Sequence, residues 1–96
     1  MDIRWTGVAS RERFAQLLHI ARDSPGVADR LDIAIERQIN SLAVYPEKGR
    51  PGRVAGTREF VIGGTSFVAI YRIRRGAVEI LRFLHGSQRW PPQPGG

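Results

Sequence analysis

The chain has 96 residues, 42% hydrophobic and 25% charged, the make-up of one small folded domain rather than of a disordered or two-domain chain. It holds no cysteine, which excludes disulfides and thiolate metal sites, and no apolar run reaches the roughly 20 residues that span a bilayer. The formal net charge is +6 and lies unevenly: residues 1–47 hold six Arg against seven acids, whereas residues 48–96 hold nine Lys and Arg against two Glu. All but one of those nine cations are Arg, whose planar fork suits phosphates, carboxylates and stacking. A basic second half points to an anionic partner such as nucleic acid, a ribosome-like surface or an acidic protein segment.

Met1 to Ser10 is mixed polar, without a signal-peptide core, so a cytoplasmic location is expected. Ile3 and Trp5 alternate with polar neighbours and predict a short first strand. Thr6 or Ser10 can cap a following helix, in which Phe14, Leu17, Leu18 and Ala21 recur at helical spacing. Ser24-Pro25 ends it and opens a second helix, with Ser24 as cap and Pro25 at the first helical position. Val27, Leu31, Ala34, Ile35, Gln38, Ile39 and Leu42 form one stripe of this helix, which Tyr45-Pro46 stops. So short a link makes the two helices an antiparallel hairpin. Glu47 to Gly56 reads as a loop rich in Gly, Pro and Arg.

The period then becomes strand-like: Arg58 to Ile62, a Gly63-Gly64 turn, Phe67 to Arg74, a tight turn at Arg75-Gly76, and Ala77 to His85. The predicted architecture is α+β: an N-terminal strand, then a helical hairpin packed on one face of a mainly antiparallel sheet. The single domain spans residues 1–92, with 93–96 as a loose tail. A two-residue turn pairs Arg74 with Ala77, Arg72 with Glu79, Ile70 with Leu81, and Val68 with Phe83. Phe67, Ala69, Tyr71 and Ile73 then share the helix-facing side with Val78, Ile80, Arg82 and Leu84, and His85 lies on the mixed side. Arg82 is the odd member of an apolar face and needs either an acidic partner from the helices or a route to solvent.

No phosphate-binding glycine motif is present, and two histidines without cysteines or a close carboxylate cluster give no metal site and no implied cofactor. His19 reads as an ordinary helix residue. RNA cleavage needs a group to deprotonate the 2′-hydroxyl, one to protonate the leaving oxygen and a cation for the phosphorane. His85 can exchange protons near neutrality, while Arg58, Arg72, Arg82 or Arg89 can bind phosphate. The bland alternative is that these arginines serve solubility and fold. Trp90, followed by Pro91, is placed to pin the C-terminus onto the sheet.

The segments Pro46-Glu47-Lys48-Gly49-Arg50, Gly56-Thr57-Arg58-Glu59-Phe60-Val61-Ile62, Phe67-Val68-Ala69-Ile70-Tyr71-Arg72-Ile73 and Val78-Glu79-Ile80-Leu81-Arg82-Phe83-Leu84-His85, closing on Trp90-Pro91, occur in that order. Together they resemble the ParE/RelE toxin superfamily, whose members often read G-x-R-E, I-x-Y-R-V and V-x-I-L-R-V-L-H on successive strands. The resemblance implies a type II toxin, neutralised by a cognate antitoxin that alone contacts operator DNA. RelE-like members cut mRNA on the ribosome; ParE-like members inhibit DNA gyrase. The RelE catalytic pattern is poorly matched. The Arg58–Ile62 segment has no lysine, Val68 stands where RelE has a functional Arg, and only Trp90 lies near the position of its late Tyr. The resemblance therefore favours a ParE-like toxin acting on gyrase, with Arg58, Arg72, Arg82, Arg89 and Trp90 as target-binding candidates. Were it a nuclease, hence an enzyme, its catalytic candidates are His85, Arg82 and Arg58. A non-toxic module that binds the antitoxin for operon control is the third reading.

Overall fold

The computed structural model describes residues 1–88, 90 and 91. Candidate Arg89 and the tail expected over 93–96 lie outside them. The chain runs β1 (Asp2–Trp5), α1 (Gly7–Asp23), α2 (Pro25–Asn40), a 3₁₀ turn at Ser41–Ala43, β2 (Arg50–Pro51), β3 (Arg58–Val61), β4 (Phe67–Arg74) and β5 (Ala77–His85). One five-stranded sheet has the order β1-β5-β4-β3-β2. β1 runs parallel to β5, and the remaining pairs are antiparallel. The α+β architecture expected from the sequence is the one observed.

Local chemistry fixes the joints. Thr6 caps α1, its side-chain oxygen accepting from Ala9 N at 3.1 Å. Ser24 is the hinge of the helical hairpin, with Pro25 opening α2, but its side chain makes no capping bond; its own amide donates to Ile20 O at 2.9 Å. Arg13 staples the helices through Asp32 and Glu36 while its guanidinium lies 4.8 Å from the centre of the Trp5 ring. Arg75 and Gly76 both take positive φ, 52° and 71°, the tight turn whose twist suits a hairpin.

The core is Ala9, Ile35, Ile39 and Leu42 from the helical layer against Phe60, Ile62, Phe67, Ala69, Tyr71, Val78, Ile80 and Phe83 from the sheet. The α2 stripe is borne out in Ile35, Ile39 and Leu42. The α1 stripe is borne out at Leu17 but not at Phe14 or Leu18, which are 67% and 44% exposed; Ala9 and Ile20 meet the core beside Leu17. The expected face is off by about one position, because the stem of Arg13 covers apolar surface that an aliphatic residue would otherwise take. Two residues of the expected loop, Arg50 and Pro51, are a strand paired with Glu59 and Arg58.

The register of the last hairpin also departs from expectation. Arg74↔Ala77 and Arg72↔Glu79 hold, but after Tyr71↔Ile80 the next pair is Ile70↔Arg82, leaving Leu81 as a bulge. One extra residue reverses the alternation for everything after it. Phe83 turns to the helices, Arg82 and Leu84 to the open side, and His85 comes opposite Phe67 on the helix side. The expected pairs Ile70–Leu81 and Val68–Phe83, and the placement of Arg82 on the apolar face, are thereby corrected.

Candidate functional site

The face of the sheet turned away from the helices carries two of the candidate arginines, Arg72 and Arg82. Arg72 pairs with Glu79 at 3.0 Å between adjacent strands. Arg82 meets Glu12 of α1 through two bonds, Nε to Oε1 at 2.9 Å and Nη2 to Oε2 at 2.8 Å. Glu12 also accepts from Phe83 N at 3.0 Å. β1 accompanies β5 only as far as Ile80, so the edge beyond it is completed by side chains, Thr6 Oγ1 donating to Leu81 O and Glu12 taking the Phe83 amide. The acidic helix partner foreseen for Arg82 is therefore present. Its bond holds the guanidinium more firmly protonated than usual. The same guanidinium lies over the Trp90 ring, 5.3 Å from its centre. Trp90 O accepts from Arg53 Nη1, so the chain end returns across the open face as the Trp90-Pro91 pair suggested.

Glu59 is the buried acid of this face, 5% exposed. Burial raises its pKa, but hydrogen bonds from Arg53 N and Arg50 Nη2, both 3.0 Å long, and the two positive charges outweigh burial and hold it below 4.5. A depressed carboxylate stabilises the fold above its unfolded pKa, and this contribution is lost as pH falls through the lower folded value. Glu59→Gln is expected to cost about 1–3 kcal/mol at pH 7. It should also flatten the fall in stability below about pH 4.5, read from urea denaturation at a series of pH values. An unchanged acid slope would show that Glu59 does not carry this dependence.

Arg58 is turned toward the loop. Its Nη1 donates to Glu47 O at 3.2 Å and Gly49 O at 2.8 Å. Beside it the Tyr71 hydroxyl accepts from Gly49 N at 2.8 Å and donates to Pro46 O at 2.7 Å. A Cβ on Gly49 would stand 2.7 Å from the Tyr71 ring, so the loop lies flat on a fully buried phenol only as glycine.

His85 stands elsewhere. Its ring is edge-on to Phe67 at 6.3 Å, and Nδ1 accepts from Ser87 N at 3.1 Å. It opens on a groove of about 500 Å³ lined by Gln16, His19, Ile20, Leu31, residues 64–67 and Ser87. Among the described residues no arginine or lysine lines that groove. His85, at the strand end, also borders a small cavity of about 70 Å³ on the open side, where Arg50 and Arg53 sit among Glu59, Val68, Ile70, Leu84 and Trp90. Those two arginines bind Glu59 and the Trp90 carbonyl. Arg58 pairs opposite Tyr71, four residues along β4 from the Phe67 that faces His85, or roughly 13 Å of strand.

The candidates thus divide. Arg72, Arg82 and Trp90 share the open face, Arg58 fastens a loop, and His85 faces the helices beside His19, which sequence reasoning set aside. Glu12, Arg50 and Arg53 were missed, whereas Glu59 and Glu79 balance neighbouring arginines as their sequence context suggests. Arg82, conspicuous in an apolar run, was the signal for Glu12. The clustering of Arg50, Arg53 and Glu59 depends on β2, which is too short to leave a pattern.

The open face is thus a basic, ion-paired sheet surface closed at one end by Trp90, and the groove at His85 lies on the other side of the sheet. The chain matches over residues 3–90 the family of the ParE toxin of the type II toxin–antitoxin system parDE. It is 42% identical to the Y4kP protein of Sinorhizobium fredii over 93% of this chain and 92% of that one. It is 33% identical to Toxin RelE2 of Caulobacter vibrioides over 91% of this chain and 97% of the relative. Among solved structures it resembles a chain of the chromosomal ParDE toxin–antitoxin system from P. aeruginosa, with TM-score 0.80 and 26% identity, covering 88% of this chain and 95% of that one. The chain belongs to the ParE toxin family of type II toxin–antitoxin systems.

Proposed function

We propose that this toxin stops growth by binding and inhibiting DNA gyrase in the cytoplasm, and that a cognate antitoxin neutralises it. The observation that carries the reading is that Arg58, Arg72 and Arg82 are each engaged by other groups and stand apart from the groove at His85, which among the described residues is lined by two histidines and no arginine or lysine. Phosphodiester cleavage needs a cation where charge develops, within hydrogen-bond reach of the groups that move protons. Arg58, Arg72 and Arg82 are each held by other groups, and Arg58 and His85 face the same layer roughly 13 Å apart along the strands. An inhibitor that acts by binding needs no such convergence. The exposed apolar side chains Phe14, Leu18, Val27 and Ile33 of the helical hairpin give the antitoxin a surface to cover.

Pulse-labelling within minutes of inducing the toxin alone tests this. DNA synthesis is expected to fall first while translation continues, and His85→Ala is expected to retain toxicity within about twofold. Immediate arrest of protein synthesis, abolished by His85→Ala, would establish ribosome-dependent RNA cleavage instead.

A further inference from the structure

Charge in this fold is segregated by layer. The helical hairpin, residues 7–40, has five Arg and five acids and is neutral, so the whole net charge of +6 belongs to the sheet, its loops and the chain end. On the open face, Glu59 and Glu79 each hold one guanidinium, of Arg50 and of Arg72. Around them Arg4, Arg53, Arg74 and Arg75 are exposed, and none has an acidic partner among the described residues. Arg4 stands in register with Glu79 on β1, and Arg74 opposite Ala77 beside the turn that carries Arg75.

Little of the apolar surface of this face is available to a partner: among its described residues Val61, at the β3 edge, is 48% exposed and Val68 opposite it half-buried. Ala77, Ile70 and Leu84 are 0%, 1% and 3% exposed although no helix covers them. What the face chiefly presents is guanidinium. A partner that docks through apolar contacts has the helical hairpin; the sheet face suits a polyanion.

We propose that the open sheet face binds the phosphodiester backbone of duplex DNA, with Arg4, Arg74 and Arg75 at the hairpin end and Arg50 and Arg53 at the loop end as its contacts. The two ends are far enough apart to meet separate phosphates: Arg50 lies in the row of Glu59 and Ile70, and Arg74 lies four residues along and two strands across, roughly 17 Å between backbones. A single strand would call for exposed aromatic platforms. The open face offers only Trp90, half-buried and already stacked by Arg82. The binding is to backbone, hence independent of sequence and steep in salt. It goes beyond the gyrase reading and stands apart from it, and it departs from the expectation that DNA is reached only through the antitoxin.

The test is fluorescence anisotropy of a labelled random-sequence duplex of about 20 base pairs, titrated with purified toxin across a salt series, with no gyrase present. Arg74→Glu/Arg75→Glu is compared with Arg11→Glu/Arg30→Glu, an equal charge change on exposed positions of the helical layer, all proteins having matched thermal melts. The sheet-face pair is expected to weaken binding at least about tenfold and to lower the log–log salt slope by about 2, while the helical pair changes affinity less than about threefold. No binding by the unmodified toxin at 50 mM salt would overturn the assignment. So would equal losses in both pairs, or tighter binding to single-stranded RNA of the same length. Because gyrase is absent, none of these results bears on the target.

Discussion

Phe83→Ala is expected to lower the free energy of unfolding by about 3–5 kcal/mol, the cost of truncating a fully buried aromatic. Phe83 is 0% exposed, with ring centres 5.2 Å from Phe67 and 6.0 Å from Trp5, so its loss opens a cavity where β1, β4 and β5 meet under the helices. Domains of this size are stable by roughly 5–15 kcal/mol, so the variant stands near the folding threshold. The contrast is Leu81→Ala. Leu81 is the bulged residue and only half-buried, and its truncation is expected to cost about 1–1.5 kcal/mol. Unbroken alternation would pair Phe83 with Val68 on the open face and make it the cheaper of the two. Urea denaturation of both variants distinguishes the registers, and a smaller loss for Phe83→Ala than for Leu81→Ala would contradict the bulge.

Glu12→Ala is expected to cost about 2–3 kcal/mol. One carboxylate serves Arg82 twice and the Phe83 amide once. Its removal leaves a part-buried cation and a strand-edge N–H without their acceptor. The pair is 30% and 20% exposed, which places the cost below that of a fully buried ion pair. The consequence for function is direct. Arg82→Ala is expected to lose toxicity in proportion to lost folded protein, because Arg82 joins α1, β5 and Trp90. A double-mutant cycle on Glu12 and Arg82, read by urea denaturation, should give a coupling above about 1 kcal/mol. Coupling near zero, with toxicity lost in a fully folded Arg82→Ala protein, would return Arg82 to the target-binding surface.

The elements legible in the sequence are those whose chemistry is local. Arg75-Gly76 fixed the last hairpin because two successive positive φ angles suit few residue pairs, and β4 and β5 end where the sequence places them. Ser24-Pro25 marked the helical hairpin for a similar reason. The bulge was not legible, because Ile70 and Leu84 are apolar on the open face and Phe83 is apolar on the other, so alternation fits either register. The one local conflict, an arginine in an apolar row, is resolved by moving Arg82 across the sheet, and that conflict was the available clue. The α1 stripe held at Leu17 but failed at Phe14 and Leu18, where a long cation does apolar packing instead: Arg13 lies over Trp5. Of the site, residue types were readable but their separation was not. That His85 and Arg58 face the same layer far apart, while Arg82 crosses to the other, follows from register alone.

We propose that this toxin disables its target by binding rather than by cutting RNA. The most direct test is purified toxin added to DNA gyrase and relaxed plasmid, with supercoiling read on a gel beside a ribosome-bound mRNA cleavage reaction at the same toxin concentration. The expected result is loss of supercoiling, relieved by antitoxin and retained in His85→Ala, with intact mRNA. Normal supercoiling together with mRNA cleaved in the ribosome would contradict it.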